Sequence, residues 1–307
     1  MGSRPGAGPK RRDVWGNEVM TIKTLLAPVS AADVSRSTLD VALKIARRFG
    51  AHIDVLHVRP DPRGLVPYTG EGMDGSMIEE IMDVTEREGG ERAAQTKTLF
   101  DAFAAENSVE VTTEPAAGEA VTMSWHTEVG REDETVAIRG RLYDLIVVGR
   151  PLKDAALPSP ITLEAALLDT GRPIVVAPPD PPAVLGQSVA IAWEGSPEAT
   201  RAIADAMPIL EQAETITILA PAVGQVAPIA PEELVRQLGW HGVAARVQPF
   251  EAPVTELGAA FLEQAASAGA DMLIKGAYSQ SRLRQLILGG RTRHILANTT
   301  IPVLLAH

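Results

Sequence analysis

The sequence predicts an α/β protein of two similar units in tandem, each a mainly parallel five-stranded sheet with helices on both faces. Short apolar runs alternate with amphipathic stretches along most of the 307 residues. This alternation is typical of parallel strands joined by right-handed helical crossovers. The same order of elements begins again near Ser188. Aromatic residues make up only 4% of the chain, so Ala, Val, Leu and Ile must fill the cores.

The first unit is predicted over residues 20–178. Its strands are short apolar runs that end in turns, expected at Ile22–Ser30, His52–Pro60, Val109–Pro115, Tyr143–Gly149 and Arg172–Pro178. Helices are expected over 32–49, where Gly50 provides a C-terminal stop, and over 76–106 and 131–141. Residues 1–19 are rich in Gly, Pro, Lys and Arg without periodicity, which indicates a disordered extension or an expression remnant.

The second unit is predicted over residues 188–307, after a stiff proline-rich linker at 179–187. Its strands are expected at Ser188–Ser196, Thr215–Pro221, Ala245–Phe250, Asp271–Gly276 and Ile301–His307. Helical patterns cover 197–213 and 255–270 between them. The repetition of strand and helix from the first unit to the second predicts an internal duplication.

Composition excludes several functional classes. The chain has no cysteine, so disulfides, thiol catalysis and thiolate metal sites are ruled out. Its formal net charge of −11 argues against a general nucleic-acid-binding protein. We expect neither a membrane span nor a signal peptide, because no apolar run approaches about 20 residues. A cytoplasmic protein is the default expectation.

Several segments together resemble one known family. "WEGSPEATRA" opens the second unit after its first strand, "YDLIVVG" and "ADMLIKG" form the two fourth strands, and "RPIVVAP" and "IPVLLAH" close the two units. "GAYSQSRLRQLILGGRTRHIL" follows the second of the fourth strands. In this combination the chain resembles a tandem universal stress protein from residue 20 to its end. The resemblance implies flavodoxin-like, Rossmann-like domains paired edge to edge through their last strands, and a role in stress survival.

The resemblance also implies a nucleotide site in the second unit. ATP-binding members carry Gly, two residues, Gly, nine residues, Gly, then Ser or Thr, with an acid at the end of the first strand. In this chain the matching positions hold Gly276, Ser279, Gly289, Gly290 and Glu194. Thr292 offers a hydroxyl two residues beyond the expected one. Glycine lets backbone N–H groups approach phosphate closely, and a helix N-terminus favours negative charge. The expected ligand is ATP with Mg²⁺, or a related nucleotide.

The second unit matches this nucleotide-binding motif only in part, and the first unit differs from the motif more. Serine replaces the second glycine, and Gly290 stands where a hydroxyl is expected. Arginines at 282, 284, 291 and 293 add positive charge nearby. In the first unit Ser30 replaces the acid, and no glycine follows Gly149 until Gly171. Pro151 and Pro158 remove N–H donors from this stretch, so we do not expect nucleotide there.

No other pattern indicates a catalytic or metal site. The six histidines show no metal-ligand spacing such as HxxxH or HExxH. His57 is interpreted as a strand-end residue beside the sheet crevice. Trp125 and His126 lie in an insertion-like stretch that we interpret as a surface loop packed on the sheet. Neither a GxSxG elbow nor a Walker loop is present, so at most weak ATP hydrolysis is expected.

Three functions remain open at the level of sequence. The first is a stress-response protein that senses or carries ATP or a related nucleotide in its second unit. The second is a nucleotide-independent, pseudo-dimeric scaffold that acts through contacts with unidentified protein partners. The third, with least support, is an ATP-using enzyme. Exposed edge strands after tandem pairing favour a homodimer.

Overall fold

The computed structural model describes residues 21–65, 75–115, 120–152, 157–222, 228–277 and 290–307. The predicted extension at 1–19 lies outside these residues, as do Ser279 and Gly289. None of the described helices is sufficiently long and apolar to cross a bilayer.

The described residues form one eleven-stranded sheet, to which both halves of the chain contribute. In chain order its strands are β1 (Thr24–Pro28), β2 (His52–Arg59), β3 (Glu110–Val111), β4 (Thr122–Val129), β5 (Leu145–Gly149), β6 (Ile174–Ala177), β7 (Ser188–Ala192), β8 (Thr215–Pro221), β9 (Arg246–Phe250), β10 (Met272–Gly276) and β11 (Val303–Ala306). The spatial order is β3-β4-β2-β1-β5-β6-β11-β10-β7-β8-β9. Every pairing is parallel except that of β6 with β11, which is antiparallel. The α/β class, the mainly parallel sheet and the pairing of the two last strands are therefore confirmed.

Helices cover both faces of this sheet. In chain order they are α1 (Ala32–Phe49), α2 (Pro62–Leu65), α3 (Gly75–Glu106), α4 (Glu132–Arg139), α5 (Pro160–Asp169), α6 (Pro197–Asp205), α7 (Met207–Leu210), α8 (Pro231–Trp240), α9 (Leu257–Ser267) and α10 (Gly290–Asn298), with a 3₁₀ turn at Gly140–Leu142. One core contains buried residues of α1, α3, α6 and α8, and the other contains residues of α4, α5, α9 and α10. Each core includes residues from both halves of the chain. Gly50 ends α1 in the left-handed conformation (φ 60°), as its position in the sequence predicts.

The prediction for the third strand of the first half was wrong in part. Only Glu110–Val111 of the expected Val109–Pro115 is a strand, and the main strand there is β4. The first half therefore supplies six strands instead of five. His126 lies within β4 and not in a surface loop. This strand is hard to recognise in the sequence because polar residues, Thr122, Ser124 and His126, interrupt its apolar pattern. The sheet accommodates them because their side chains form hydrogen bonds with residues of β2.

In each half an aspartate side chain accepts hydrogen bonds from backbone N–H groups at the start of the first strand. The Asp144 carboxylate accepts from the backbone N–H groups of Lys23 (2.8 Å) and Thr24 (3.0 Å). The Asp271 carboxylate accepts from three successive N–H groups, those of Gly186 (2.6 Å), Gln187 (2.9 Å) and Ser188 (3.1 Å). Both aspartates directly precede a central strand, so the same contact aligns neighbouring strands in the two halves.

Asp271→Ala is expected to destabilise the protein by about 2 kcal/mol, because three N–H groups lose a charged acceptor and regain water only in part. Urea unfolding followed by circular dichroism measures the change. Asp180→Ala is the matched control, because Asp180 is exposed, and its effect should stay within about 0.5 kcal/mol. Equal effects of the two substitutions would contradict this role of Asp271.

Candidate functional site

The order of the strands reverses beside β7, and this places a crevice at its carboxyl end. β8 lies on one side of β7 and β10 on the other. The chain after β7 turns into α6, on one face of the sheet, whereas α10 lies on the opposite face. Open α/β sheets bind ligands at such a reversal, outside the carboxyl ends of the strands. Glu194 follows β7 by two residues, and Gly276 is the last residue of β10.

Two cations converge on Glu194 in this crevice. Lys275 Nζ lies 3.2 Å from Glu194 Oε2, and Arg291 Nη1 lies 3.1 Å from Glu194 Oε1. The side chains of Lys275, Glu194 and Arg291 are 4%, 12% and 26% exposed. Lys275 Nζ also donates to the Gly276 carbonyl at 3.0 Å. A buried cation of this kind is tolerated only with such partners.

Sequence reasoning found Glu194 and noted Arg291 but missed Lys275. "DMLIKG" was interpreted only as an apolar strand, although a lysine at its carboxyl end is a polar residue in a buried position. Lys275 and Glu194 are 81 residues apart, and they meet only because β10 pairs with β7. A lysine within an otherwise apolar strand was the available signal.

Gly276 is required by the packing of a helix. A Cβ atom at this position would lie 2.2 Å from the backbone nitrogen of Ala199 and 2.5 Å from the carbonyl carbon of Glu198. The first turn of α6 therefore rests directly on the end of β10. Ser196 caps this helix, and its hydroxyl accepts from Ala199 N–H at 3.1 Å. The contact explains Gly276 without reference to a ligand.

Two further predicted site residues, Gly290 and Thr292, lie in α10. Gly290 begins α10, is exposed, and has open space where a Cβ would lie. Thr292 lies in the first turn of the same helix and is only 4% exposed, so its side chain is directed into the protein. The structure thus brings together Glu194, Gly276 and Arg291, with Lys275, and does not place the Thr292 side chain at the surface of the crevice.

The equivalent crevice of the first half is occupied by the protein's own side chains. Leu25 pairs with Leu145 as Val189 pairs with Met272, so Ser30 occupies the position of Glu194. Ser30 Oγ donates to Glu132 Oε1 at 2.6 Å, and Thr162 Oγ1 donates to Glu132 Oε2 at 2.8 Å. A Cβ at Gly149, which corresponds to Gly276, would lie 2.6 Å from Pro158 Cγ. Val148 stands where Lys275 does, so this crevice lacks that cation.

A second polar group lies on one sheet face near the amino ends of β2 and β4. We call it the Asp54 cluster; its members are His52, Asp54, Thr122, Ser124, His126 and Tyr143. Burial alone would raise the pKa of Asp54, but hydrogen bonds from His52, Ser124 and Tyr143 outweigh it and hold that pKa well below its usual range. Burial and the bond to Asp54 raise the pKa of Tyr143.

His57 and Trp125 lie on the opposite face from this cluster and are structural. His57 is 2% exposed, and its Nδ1–H donates to the Val29 carbonyl at 2.7 Å. Burial lowers the pKa of His57, so the ring is neutral. Its ring stacks on Trp125 at 5.9 Å between centroids, and Trp125 also contacts Phe100 at 5.4 Å. These rings pack together and do not line a ligand pocket.

Comparison with known proteins identifies the fold. A universal stress protein from Archaeoglobus fulgidus DSM 4304 superposes with a TM-score of 0.67 at 16% identity, covering 93% of this chain and 96% of the other. The fold is that of the universal stress proteins. A putative universal stress protein from Pseudomonas aeruginosa UCBPP-PA14 has the same fold with a TM-score of 0.52 at 14% identity, covering 93% of each chain.

The universal-stress-protein fold also occurs in another setting. The cytoplasmic domain of a prokaryotic cation chloride cotransporter matches with a TM-score of 0.50 at 11% identity, covering 92% of this chain and 95% of that one. No protein-family model matches the sequence, and no curated protein is significantly similar to it. These likenesses establish the fold.

Gly276→Ala should destabilise the protein by about 3 kcal/mol or more, because the new methyl group meets backbone atoms of α6 that have no room to move. Gly239→Ala, inside α8 with nothing within 4 Å of its Cβ position, is the control. It should be neutral or stabilising by up to about 1 kcal/mol. Thermal unfolding of both variants measures the difference, and a neutral Gly276→Ala would refute the close contact.

Proposed function

We propose that this chain is a stress-response protein of the universal stress protein type that binds ATP or a related nucleotide in its second domain. Its domains are residues 20–178 and 188–307, joined by the linker at 179–187. The observation that carries the proposal is the convergence of Lys275 and Arg291 at the end of β7, beside the crevice. Two cations placed at a strand reversal suit a phosphate chain.

Charge at this position favours an anion. Lys275 and Arg291 contribute two positive charges, and Glu194 neutralises one, so the group keeps a net charge of +1. Arg291 belongs to the first turn of α10, whose N-terminal end carries a partial positive charge. Its guanidinium is held from one side by Glu194 and retains further N–H groups for phosphate oxygens. Glu194 thereby acts as a positioning residue for both cations.

The first domain is not expected to bind nucleotide. Glu132 joins Ser30 and Thr162, and Pro158 covers Gly149. The Glu132 carboxylate takes up the hydroxyl donors that a phosphate would need, and Pro158 fills the space that it would occupy. The proposal therefore predicts one nucleotide for each chain.

A nucleotide-independent scaffold is the second candidate, and one observation favours it. Both cations are already paired with Glu194, and helix packing alone accounts for Gly276. In that case the ion pairs serve to lock α10 against β7 and β10. The protein would then act through contacts of its surface with unidentified protein partners, as a cytoplasmic homodimer paired through exposed sheet edges.

Thermal unfolding with and without ATP and Mg²⁺ separates the two candidates. ATP at 100 times its dissociation constant should raise the free energy of unfolding by about 2.7 kcal/mol. Arg291→Gln should remove most of this increase. Arg293→Gln, an exposed arginine on the same helix, should leave it intact and serves as the control.

The outcomes are distinct. Absence of any shift at millimolar ATP in the unsubstituted protein would sink the nucleotide proposal and leave the scaffold. A shift that survives in Arg291→Gln would place the nucleotide elsewhere on the chain.

A further inference from the structure

A cleft of about 370 Å³ lies where the first half meets the linker. We call it the α1–linker cleft, because its walls come from the first part of α1, the chain that follows β5 and the start of the linker after β6. It belongs to the first half, whereas the crevice proposed for nucleotide lies at the carboxyl end of β7. Its volume is that of a small-molecule site.

Arg150 lines this cleft with several of its donors unused. Its Nη1 donates to the carbonyls of Ala297 (2.9 Å) and Thr299 (3.0 Å). Its Nε is buried without a hydrogen-bond partner. A guanidinium carries five N–H donors in a fixed fork, so the side formed by Nε and Nη2 remains for a further acceptor. A buried N–H group without an acceptor costs free energy unless water or a ligand supplies one.

Arg150 also lacks a compensating negative charge. Burial lowers the pKa of its guanidinium, and among the described residues no carboxylate forms an ion pair with it. A buried cation of this kind is stabilised when an anion reaches it.

The other charges around the cleft are paired or lie in solvent. Arg36 forms an ion pair with Glu106 at 2.6 Å, and Lys44 forms one with Asp40 at 2.5 Å. Asp180 is exposed. The α1–linker cleft therefore offers one cation that has no carboxylate partner in the described part of the chain.

The fold does not require an arginine at this position. Arg150 directly follows β5, and Ala277 directly follows β10, the corresponding strand of the second half. The backbone N–H of Arg150 donates to Ala177 at 2.9 Å, and that of Ala277 donates to Ala306 at 2.9 Å. The backbone contact is thus the same in both halves, and only the first half adds a cation to it.

Apolar side chains form much of the remaining wall. They are Val34, Leu152, Pro158, Pro179 and Pro181. Proline rings lose almost no side-chain entropy when a ligand covers them, so this part of the wall is already shaped for an apolar group. Small-molecule sites commonly combine apolar walls with a few polar groups that fix the orientation of the ligand.

We propose that the α1–linker cleft binds a small aliphatic monocarboxylate, with its carboxylate on Arg150 and its hydrocarbon chain against Val34, Leu152 and the proline rings. Arginine binds carboxylates through two parallel N–H groups. A phosphate group, with about two negative charges, would face only one unpaired cation. An alkylammonium ion would be repelled by Arg150. One cation beside an apolar wall therefore selects a singly charged anion with an apolar body.

Calorimetric titration of the full chain with hexanoate tests the proposal. Hexanoate should bind at millimolar concentration or below with one molecule per chain. Hexanol should bind at least about 10-fold more weakly, because it lacks the charged acceptor, and hexylamine should not bind.

Two substitutions locate the site. Val34→Glu should abolish binding, because it places a negative charge in the wall, and an acid in the first turn of α1 is compatible with the helix. Val254→Glu adds the same charge at an exposed valine of the second half and should leave binding unchanged. Arg150→Gln should weaken binding at least about 10-fold. Arg236→Gln, at an exposed arginine of α8, is its control.

Circular dichroism establishes that each variant is folded. Because Arg150 also contacts α10, Val34→Glu provides a test that leaves this arginine in place. Absence of saturable hexanoate binding, or equal affinity for hexanol, would overturn the proposal. Binding that persists in Val34→Glu, or that is lost in Val254→Glu or Arg236→Gln, would overturn it as well, because the ligand would then lie elsewhere. None of these outcomes depends on ATP.

Discussion

The antiparallel pairing of β6 with β11 is the contact on which the rest of the molecule depends. Val176 pairs with Val303, Val175 with Leu304 and Ile174 with Leu305. All six side chains are fully buried. Each half alone would end in an apolar edge strand with unpaired N–H and C=O groups, which is a site of aggregation. Pairing removes both edges at once and joins the two halves into one sheet with shared cores.

This junction also ties the first half to the candidate site of the second. Arg150 follows β5, and its Nη1 donates to the carbonyls of Ala297 (2.9 Å) and Thr299 (3.0 Å) at the end of α10. A cation at a helix C-terminus satisfies carbonyls that have no partner within the helix. The same helix carries Arg291 in its first turn. The first half thus anchors the C-terminal end of the helix that carries Arg291. Glu194, in the second half, holds the Arg291 side chain itself.

Sequence reasoning recovered the fold because periodicity and repetition are local properties. Apolar runs located ten of the eleven strands, at least in part, and Gly50 marked the end of α1. The strand β4 was missed because it contains polar residues. Their hydrogen-bond partners lie on β2, and the linear sequence does not reveal this pairing. α5 and α8 were also not recognised. Both are short helices that begin with proline, in stretches dominated by turn residues.

The candidate site was harder to predict because its residues come from distant elements. Glu194 and Gly276 followed from motif positions, but Lys275 acquires its role only through the pairing of β7 with β10. Gly276 accommodates α6, and the Thr292 side chain is directed into the protein; the motif spacing reveals neither contact. Spacing identifies which residues stand near a strand end, whereas packing decides whether their atoms are available to a ligand.

Amide hydrogen exchange along the two paired strands tests most directly whether the halves form one cooperative sheet. The account predicts that amides of β6 and β11 exchange as slowly as those of β1 and β7, at the rate of global unfolding. Faster exchange of β6 and β11 than of β1 and β7 would show that the halves separate before they unfold, and would contradict it.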